Sequence, residues 1–118
     1  MYKVSIISDF SAAHMLDGYK GKCENIHGHN WKVEVSVSSE KLDRIGMAID
    51  FKELKRYVNA VLEGLDHKNL NDILYFKKVN PTSENIAKYI YDRIHTKGVK
   101  VKAVTVWESD TARAEYSL

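Results

Sequence analysis

The stretch from Asn30 to Ser38 constrains this chain most. Trp31, Val33, Val35 and Val37 alternate with Lys32, Glu34, Ser36 and Ser38. A strand places successive side chains on opposite faces, so this alternation predicts a sheet with one buried face and one polar face. Something must cover the buried face, and two segments can. Asp50 reads as a helix N-cap with Glu53 as its capping-box partner. Phe51, Leu54, Tyr57, Val58, Val61, Leu62 and Leu65 recur at helical spacing behind it. A second helix starts at Pro81-Thr82-Ser83-Glu84, where Thr82 or Ser83 can cap. It carries Ile86, Ile90 and Ile94 at four-residue spacing and stops at Lys97-Gly98.

The remaining segments complete the sheet. Tyr2 to Phe10 has the period of a half-buried strand, and Ser39 to Met47 reads as a loop. Val99 to Glu108 is strand-rich, but its apolar parity switches at Ala103-Val104. That predicts a bulge, or a strand covered on both faces. Ser109-Asp110-Thr111 turns the chain, after which Ala114, Tyr116 and Leu118 alternate with polar residues. The order ββααββ predicts an α+β fold: an antiparallel four-stranded sheet with two helices on one face, in a single domain over residues 1–118. The sheet's edges and second face stay open, to solvent or to sheets of other subunits.

Composition narrows the function classes. With 118 residues, the chain has the length of one ordinary domain. Eighteen basic side chains face 16 acidic ones, and Lys and Glu interleave, so the basic stripe of a nucleic-acid binder is missing. No apolar run approaches the ~20 residues of a membrane span, and MYKVSIISDF does not read as a signal peptide. One cysteine forms no internal disulfide, which makes a reducing cytoplasm the simplest location.

The histidines carry the chemistry. In His27-Gly28-His29 the two imidazoles stand at i and i+2 at the start of a strand, so both can reach one ion, and Gly28 allows close backbone approach. His14 follows the first strand. Three neutral imidazoles with a vacant fourth position are the usual layout of catalytic zinc. Surface or core histidines are the bland alternative. Cys23, four residues before His27, fits three roles: a fourth ligand in a closed structural site, a thiolate base or nucleophile near the metal, or a small buried hydrophobe. Spacing alone does not separate them. Asp66-His67 suits an imidazole held in one tautomer by a carboxylate, or else a turn after a helix. Glu108, at a strand end, suits bidentate capture of two N–H donors, or a solvated terminus. His95 reads as a surface residue in a last helical turn, and Tyr57, Tyr89 and Tyr91 as helix packing.

Taken together, these segments resemble a known family. Phe10-Ser11-Ala12-Ala13-His14, Cys23-x-x-x-His27-Gly28-His29, Gly46-Met47-Ala48-Ile49-Asp50-Phe51, Leu65-Asp66-His67-x-x-Leu70-Asn71, Pro81-Thr82-Ser83-Glu84-Asn85 and Glu108 follow one another as in the 6-pyruvoyltetrahydropterin synthase / 6-carboxytetrahydropterin synthase family of the tunnelling (T-fold) superfamily. The resemblance runs nearly end to end. It implies zinc held by His14, His27 and His29, and Cys23 as catalytic base with His67 and Asp66 as its relay. It also implies Glu108 as the pterin anchor, and Thr82 and Glu84 as further substrate contacts. The sheets of several subunits would close into an oligomeric barrel, trimer-based or hexameric, with sites at subunit interfaces. Cys23 and Asp66-His67 would then come from different chains.

The three residues between Cys23 and His27 match the carboxy type, where the animal pyruvoyl type has five. The expected reaction is the lyase conversion of 7,8-dihydroneopterin triphosphate to 6-carboxy-5,6,7,8-tetrahydropterin, acetaldehyde and triphosphate, in queuosine or archaeosine biosynthesis. Two features depart from the pattern. Met15 follows His14, where relatives often have arginine. Glu24 follows Cys23, in a region where folate-pathway relatives use a glutamate in place of the cysteine to form a 6-hydroxymethyl pterin. The alternatives are therefore a pyruvoyl synthase, a folate-type homologue or, from a different class, a non-catalytic module stabilised by zinc.

Overall fold

Two long strands form the backbone of the fold. The computed structural model describes residues 1–19 and 25–118, so Cys23 and Glu24 lie outside the described residues. Strand β1 (Tyr2–His14) and strand β2 (His27–Ser39) pair antiparallel over their whole lengths, from Tyr2 opposite Ser39 to His14 opposite His27. Both run further than the alternation predicts. Ser11-Ala12-Ala13 and His27-Gly28 carry no apolar rhythm, so the signal fades before the backbone pairing does.

The chain continues as α1 (Phe51–Glu63), β3 (Lys68–Asn69), a 3₁₀ turn (Leu70–Asp72), α2 (Leu74–Lys78), α3 (Ser83–His95), β4 (Val101–Ser109) and β5 (Ala112–Ser117). The sheet order is β3-β1-β2-β4-β5. The four expected strands and two helices are all present, and two short elements are added. β3 is a two-residue strand parallel to β1 at Ala12 and Ala13, and α2 has five residues. Elements this short fall below the window over which a hydrophobic period can be read.

The apolar face behaves as predicted. Trp31, Val33, Val35 and Val37 are buried against Leu54, Val58, Val61 and Leu62 of α1 and Ile86, Ala87, Ile90, Tyr91 and Ile94 of α3. Phe51 departs from the expectation. As the first helical residue it stands outside the layer filled by Leu54 and Val58, and it is half exposed. Asp50 does cap α1, accepting the Lys52 N–H at 2.8 Å, while the Glu53 carboxylate takes the Tyr57 hydroxyl at 3.4 Å. The parity switch of β4 is a bulge. Ser36 pairs with Ala103 but Val37 pairs with Val101, so Lys102 is the extra residue. Val104 and Val106 on one side of it, and Val99 and Val101 on the other, all join the same core.

Trp31 ties the core to the far end of the ribbon. It is fully buried, stacks on Phe10 at 5.9 Å and donates its indole N–H to the Ala12 carbonyl at 3.2 Å. Its edge also meets His14 and His29, at 4.9 and 5.2 Å between ring centroids. Trp31→Ala is expected to cost about 3–5 kcal/mol, the range for a deleted buried aromatic. Urea unfolding checks this, and a loss under about 1 kcal/mol would contradict the packing described.

Candidate metal centre

Parity at the paired ends of β1 and β2 sets the site. Phe10, Ala12 and His14 share a face with Trp31, His29 and His27, so three imidazoles continue the apolar layer as its polar end. His14 lies opposite His27, and His29 opposite Ala12. The rings meet edge to face, 4.7 Å apart for His14–His27, 5.2 Å for His14–His29 and 4.8 Å for His27–His29. Glu108, near the end of β4, completes the group. Its Oε1 lies 3.2 Å from His14 Nε2 and 3.5 Å from His29 Nε2. One donor atom from each of His14, His27, His29 and Glu108 falls within 4.8 Å of the others.

Backbone carbonyls fix which nitrogens face inward. His14 is buried, and its Nδ1 lies 2.7 Å from the Pro81 carbonyl oxygen. A carbonyl only accepts, so Nδ1 carries the hydrogen and Nε2 of the neutral ring presents a lone pair. His27 Nδ1 meets the Asn25 carbonyl at 3.0 Å in the same way. An imidazole lone pair aimed at a carboxylate oxygen is repulsive unless a proton or a metal ion lies between them. Ligating histidines have this arrangement, the far N–H anchored and the near nitrogen bare. The group can hold a metal ion.

The chain leaving β1 is held by side-chain amides that act as substitute strand partners. Asn71 accepts the Met15 N–H at 2.8 Å and donates to the Met15 carbonyl at 3.0 Å. Asn80 does the same for Asp17, at 3.0 and 2.8 Å, and Asn85 donates to the Asn80 carbonyl at 2.9 Å. The sequence assigns Asn71, Asn80 and Pro81 no role in the site. Asn71 and Pro81 do lie inside the segments that carry the family resemblance, which is the signal that could have found them.

Asp66 and His67 do pair directly, His67 Nδ1 to Asp66 Oδ2 at 2.9 Å. The backbone makes this possible, because His67 sits in the left-handed region at φ 58°. Its N–H donates to the Ser11 carbonyl at 2.6 Å, and Asp66 Oδ1 accepts the Ser11 N–H at 2.9 Å. This pair is not part of the metal group. His67 lines an open groove with Ser11, Ala13, Asn30 and also Ala12 and His29, so the pair and one imidazole of the metal group border the same groove. Gly28 borders the same groove, and among the described residues a Cβ built there would meet the Ala12 carbonyl at 3.9 Å, an ordinary contact. Thr82 caps α3 by accepting the Asn85 N–H at 3.1 Å, and Glu84 is exposed. His95 is exposed beside Tyr91.

The sequence profile of the 6-pyruvoyl tetrahydropterin synthase family matches residues 3–118. The chain belongs to that family. The chain is 32% identical to the Haemophilus influenzae 6-carboxy-5,6,7,8-tetrahydropterin synthase, over 98% of this chain and 99% of that one. It is 39% identical to the Pyrococcus furiosus dihydroneopterin monophosphate aldolase, over 87% of this chain and 86% of that one. The structure of Caenorhabditis elegans 6-pyruvoyl tetrahydropterin synthase superposes with a TM-score of 0.87 at 32% identity, covering 99% of this chain and 95% of that one. The fold is the T-fold shared by these 6-pyruvoyl tetrahydropterin synthase structures. Among the described residues, no helix is long and apolar enough to cross a membrane.

The Ser11 N–H, with help from the His67 ring, holds the Asp66 carboxyl below its ordinary value of 3.8. Folding thus favours the ionised form. The stability this contributes is present above pH 3.8 and is lost as pH falls through the depressed folded-state midpoint. A carbon-detected NMR titration of the Asp66 carboxyl should give a midpoint below 3.8, and one at or above it would contradict the Ser11 bond.

Proposed function

We propose that this chain is a zinc-dependent 6-carboxy-5,6,7,8-tetrahydropterin synthase. In this reading it converts 7,8-dihydroneopterin triphosphate and water to 6-carboxytetrahydropterin, acetaldehyde and triphosphate, a step of 7-deazaguanine biosynthesis. The observation that carries the reading is the set of three converging imidazoles, two of them with Nδ1 tied to a backbone carbonyl. The near full-length likeness to the Haemophilus influenzae protein of that name supports it. So does the three-residue interval between Cys23 and His27.

His14, His27 and His29 hold the metal. When bound, zinc acidifies the substrate's side-chain hydroxyls and fixes their orientation. Cys23 takes protons as a thiolate, and His67 passes them on with Asp66 holding its Nδ1–H. Asp66 is itself held by the Ser11 amide, so the relay is anchored to the strand that carries His14. The Glu108 carboxylate receives two N–H donors of the pterin ring.

The groove that carries the relay also reaches His29 and is open, which leaves room for a second subunit to complete a shared site there. β1 supports the same assembly. β3 covers it only at Ala12 and Ala13 and the Asp66–His67 pair at Ser11, which leaves Tyr2 to Phe10 as a sheet edge among the described residues. A homo-oligomer built by edge-to-edge joining of sheets satisfies both observations, and a trimer-based ring closes without a leftover edge.

Incubation with 7,8-dihydroneopterin triphosphate should release acetaldehyde and 6-carboxytetrahydropterin in equal amounts. A 6-hydroxymethyl pterin would instead favour the folate-type reading, which Glu24 and the Pyrococcus furiosus relative support. 6-Pyruvoyltetrahydropterin would assign the pyruvoyl type. Cys23→Ala is expected to lower turnover at least about 100-fold, the usual worth of a positioned base, with zinc content unchanged. Loss of zinc together with turnover would instead mark Cys23 as a ligand of a closed structural site. Chelation of the wild-type protein should abolish turnover and leave the secondary structure measured by circular dichroism in place, and added zinc should restore activity.

A further inference from the structure

The phosphate chain of the proposed substrate needs a cationic place of its own. In 7,8-dihydroneopterin triphosphate it hangs from the last carbon of the side chain, beside the carbons that bear the hydroxyls. A metal that holds those hydroxyls therefore brings several negative charges to within a few bonds of itself. Two open grooves lie near the end of the ribbon, and they differ in charge. The first encloses about 460 Å³ and runs from His29 past His67 to Lys68. That is within the range of small-ligand sites, about 300–1,000 Å³. Among the described residues that line it none is a carboxylate, and Lys68 is the one permanent cation. The second groove, about 500 Å³, carries Lys77 and Lys78, but it also carries the Asp17 carboxylate and, among the described residues, no imidazole.

The first groove is built for an anion. Lys68 is fixed at its backbone, where β3 pairs it with Ala12, and its side chain is exposed. A compact ammonium on a flexible stem suits a phosphate chain. The Ser11 hydroxyl engages Asn30 Oδ1 at 2.7 Å, so the amide's NH₂ group is what it offers a ligand. Gly28 adds room. Its backbone is outside the left-handed region, and a Cβ there would make an ordinary contact, so an alanine would fit the fold and take space from the groove.

We propose that this groove is a polyphosphate subsite, in which Lys68 neutralises the triphosphate of the substrate and the Asn30 amide donates to it. The proposal rests on the pterin reading above and adds the residue that selects for the phosphate chain. Lys68 acts on the anion and not on the reacting carbons, so it governs which ester binds.

The test measures binding without turnover, by calorimetry on the full-length, zinc-loaded Cys23→Ala protein. The ligands are 7,8-dihydroneopterin triphosphate and 7,8-dihydroneopterin, which keeps the ring and hydroxyls and lacks the phosphates. The triphosphate should bind at least about tenfold more tightly, the worth of a charge-assisted bond, and the preference should shrink as salt is raised. Lys68→Ala should weaken the triphosphate about tenfold and leave dihydroneopterin unmoved, while Lys68→Arg should keep most of the preference. Gly28→Ala should weaken the triphosphate selectively with zinc content unchanged. Steady-state kinetics with Cys23 intact give a second readout, since Lys68→Ala should raise KM and change kcat little. Equal losses for both ligands would make Lys68 a structural residue and overturn the subsite. A preference that depends on Lys77 and Lys78 in place of Lys68 would put the anion in the second groove and overturn it too. Binding of neither ligand defeats the pterin reading itself, whereas binding of both with no Lys68-dependent preference defeats the subsite alone.

Discussion

The in-register pairing of β1 with β2 governs everything at the far end of the ribbon. Both strands are 13 residues long, and each pair fixes the next, so His14 arrives opposite His27 only because Tyr2 started opposite Ser39. A slip of one residue would send every side chain of β1 to the other face. His14 would leave the imidazole group, and Ile6 and Phe10 would leave the core. The same register therefore builds the hydrophobic layer and the metal-ligating one, and the buried area that pins the first also pins the second. Trp31 sits at the junction, stacked on Phe10 on one side and edge-on to His14 and His29 on the other.

Legibility in the sequence followed periodicity. The alternation of β2, the helical stripes of α1 and α3 and the parity break in β4 were all readable, because each buries one face of a repeating element. The break even fell within two residues of the bulge at Lys102. β3, the 3₁₀ turn and α2 were not readable, since their positions come from side-chain amides and single backbone bonds. In the site, His-x-His was legible through strand geometry, and His14 through its place at the end of a strand able to pair with the second. The Pro81 carbonyl was invisible for a different reason. Any residue can supply a carbonyl, so nothing in the residue type at position 81 announces that its oxygen orients His14.

The Asp66–His67 pair stands apart from the metal group, with Ser11 bonded to the pair through both its N–H and its carbonyl. The groove beside the pair also reaches His29, and the strand that anchors the pair is the one that ends in His14. The left-handed backbone at His67 fits this arrangement. It is a costly conformation for a non-glycine residue, held by the Ser11 bond, and it turns an adjacent Asp–His pair into a rigid unit at the groove's edge.

The His14–Pro81 bond, with the Asn80 bonds to Asp17, joins the end of β1 to the start of α3. Pro81 immediately precedes Thr82, whose hydroxyl caps α3, and α3 supplies five of the buried residues of the core. An ion held by His14 would fix the tautomer whose Nδ1–H meets that carbonyl, and through it the start of the helix. Binding that favours the folded form adds to its stability, so the group that can take an ion would also serve as a remote rivet for α3.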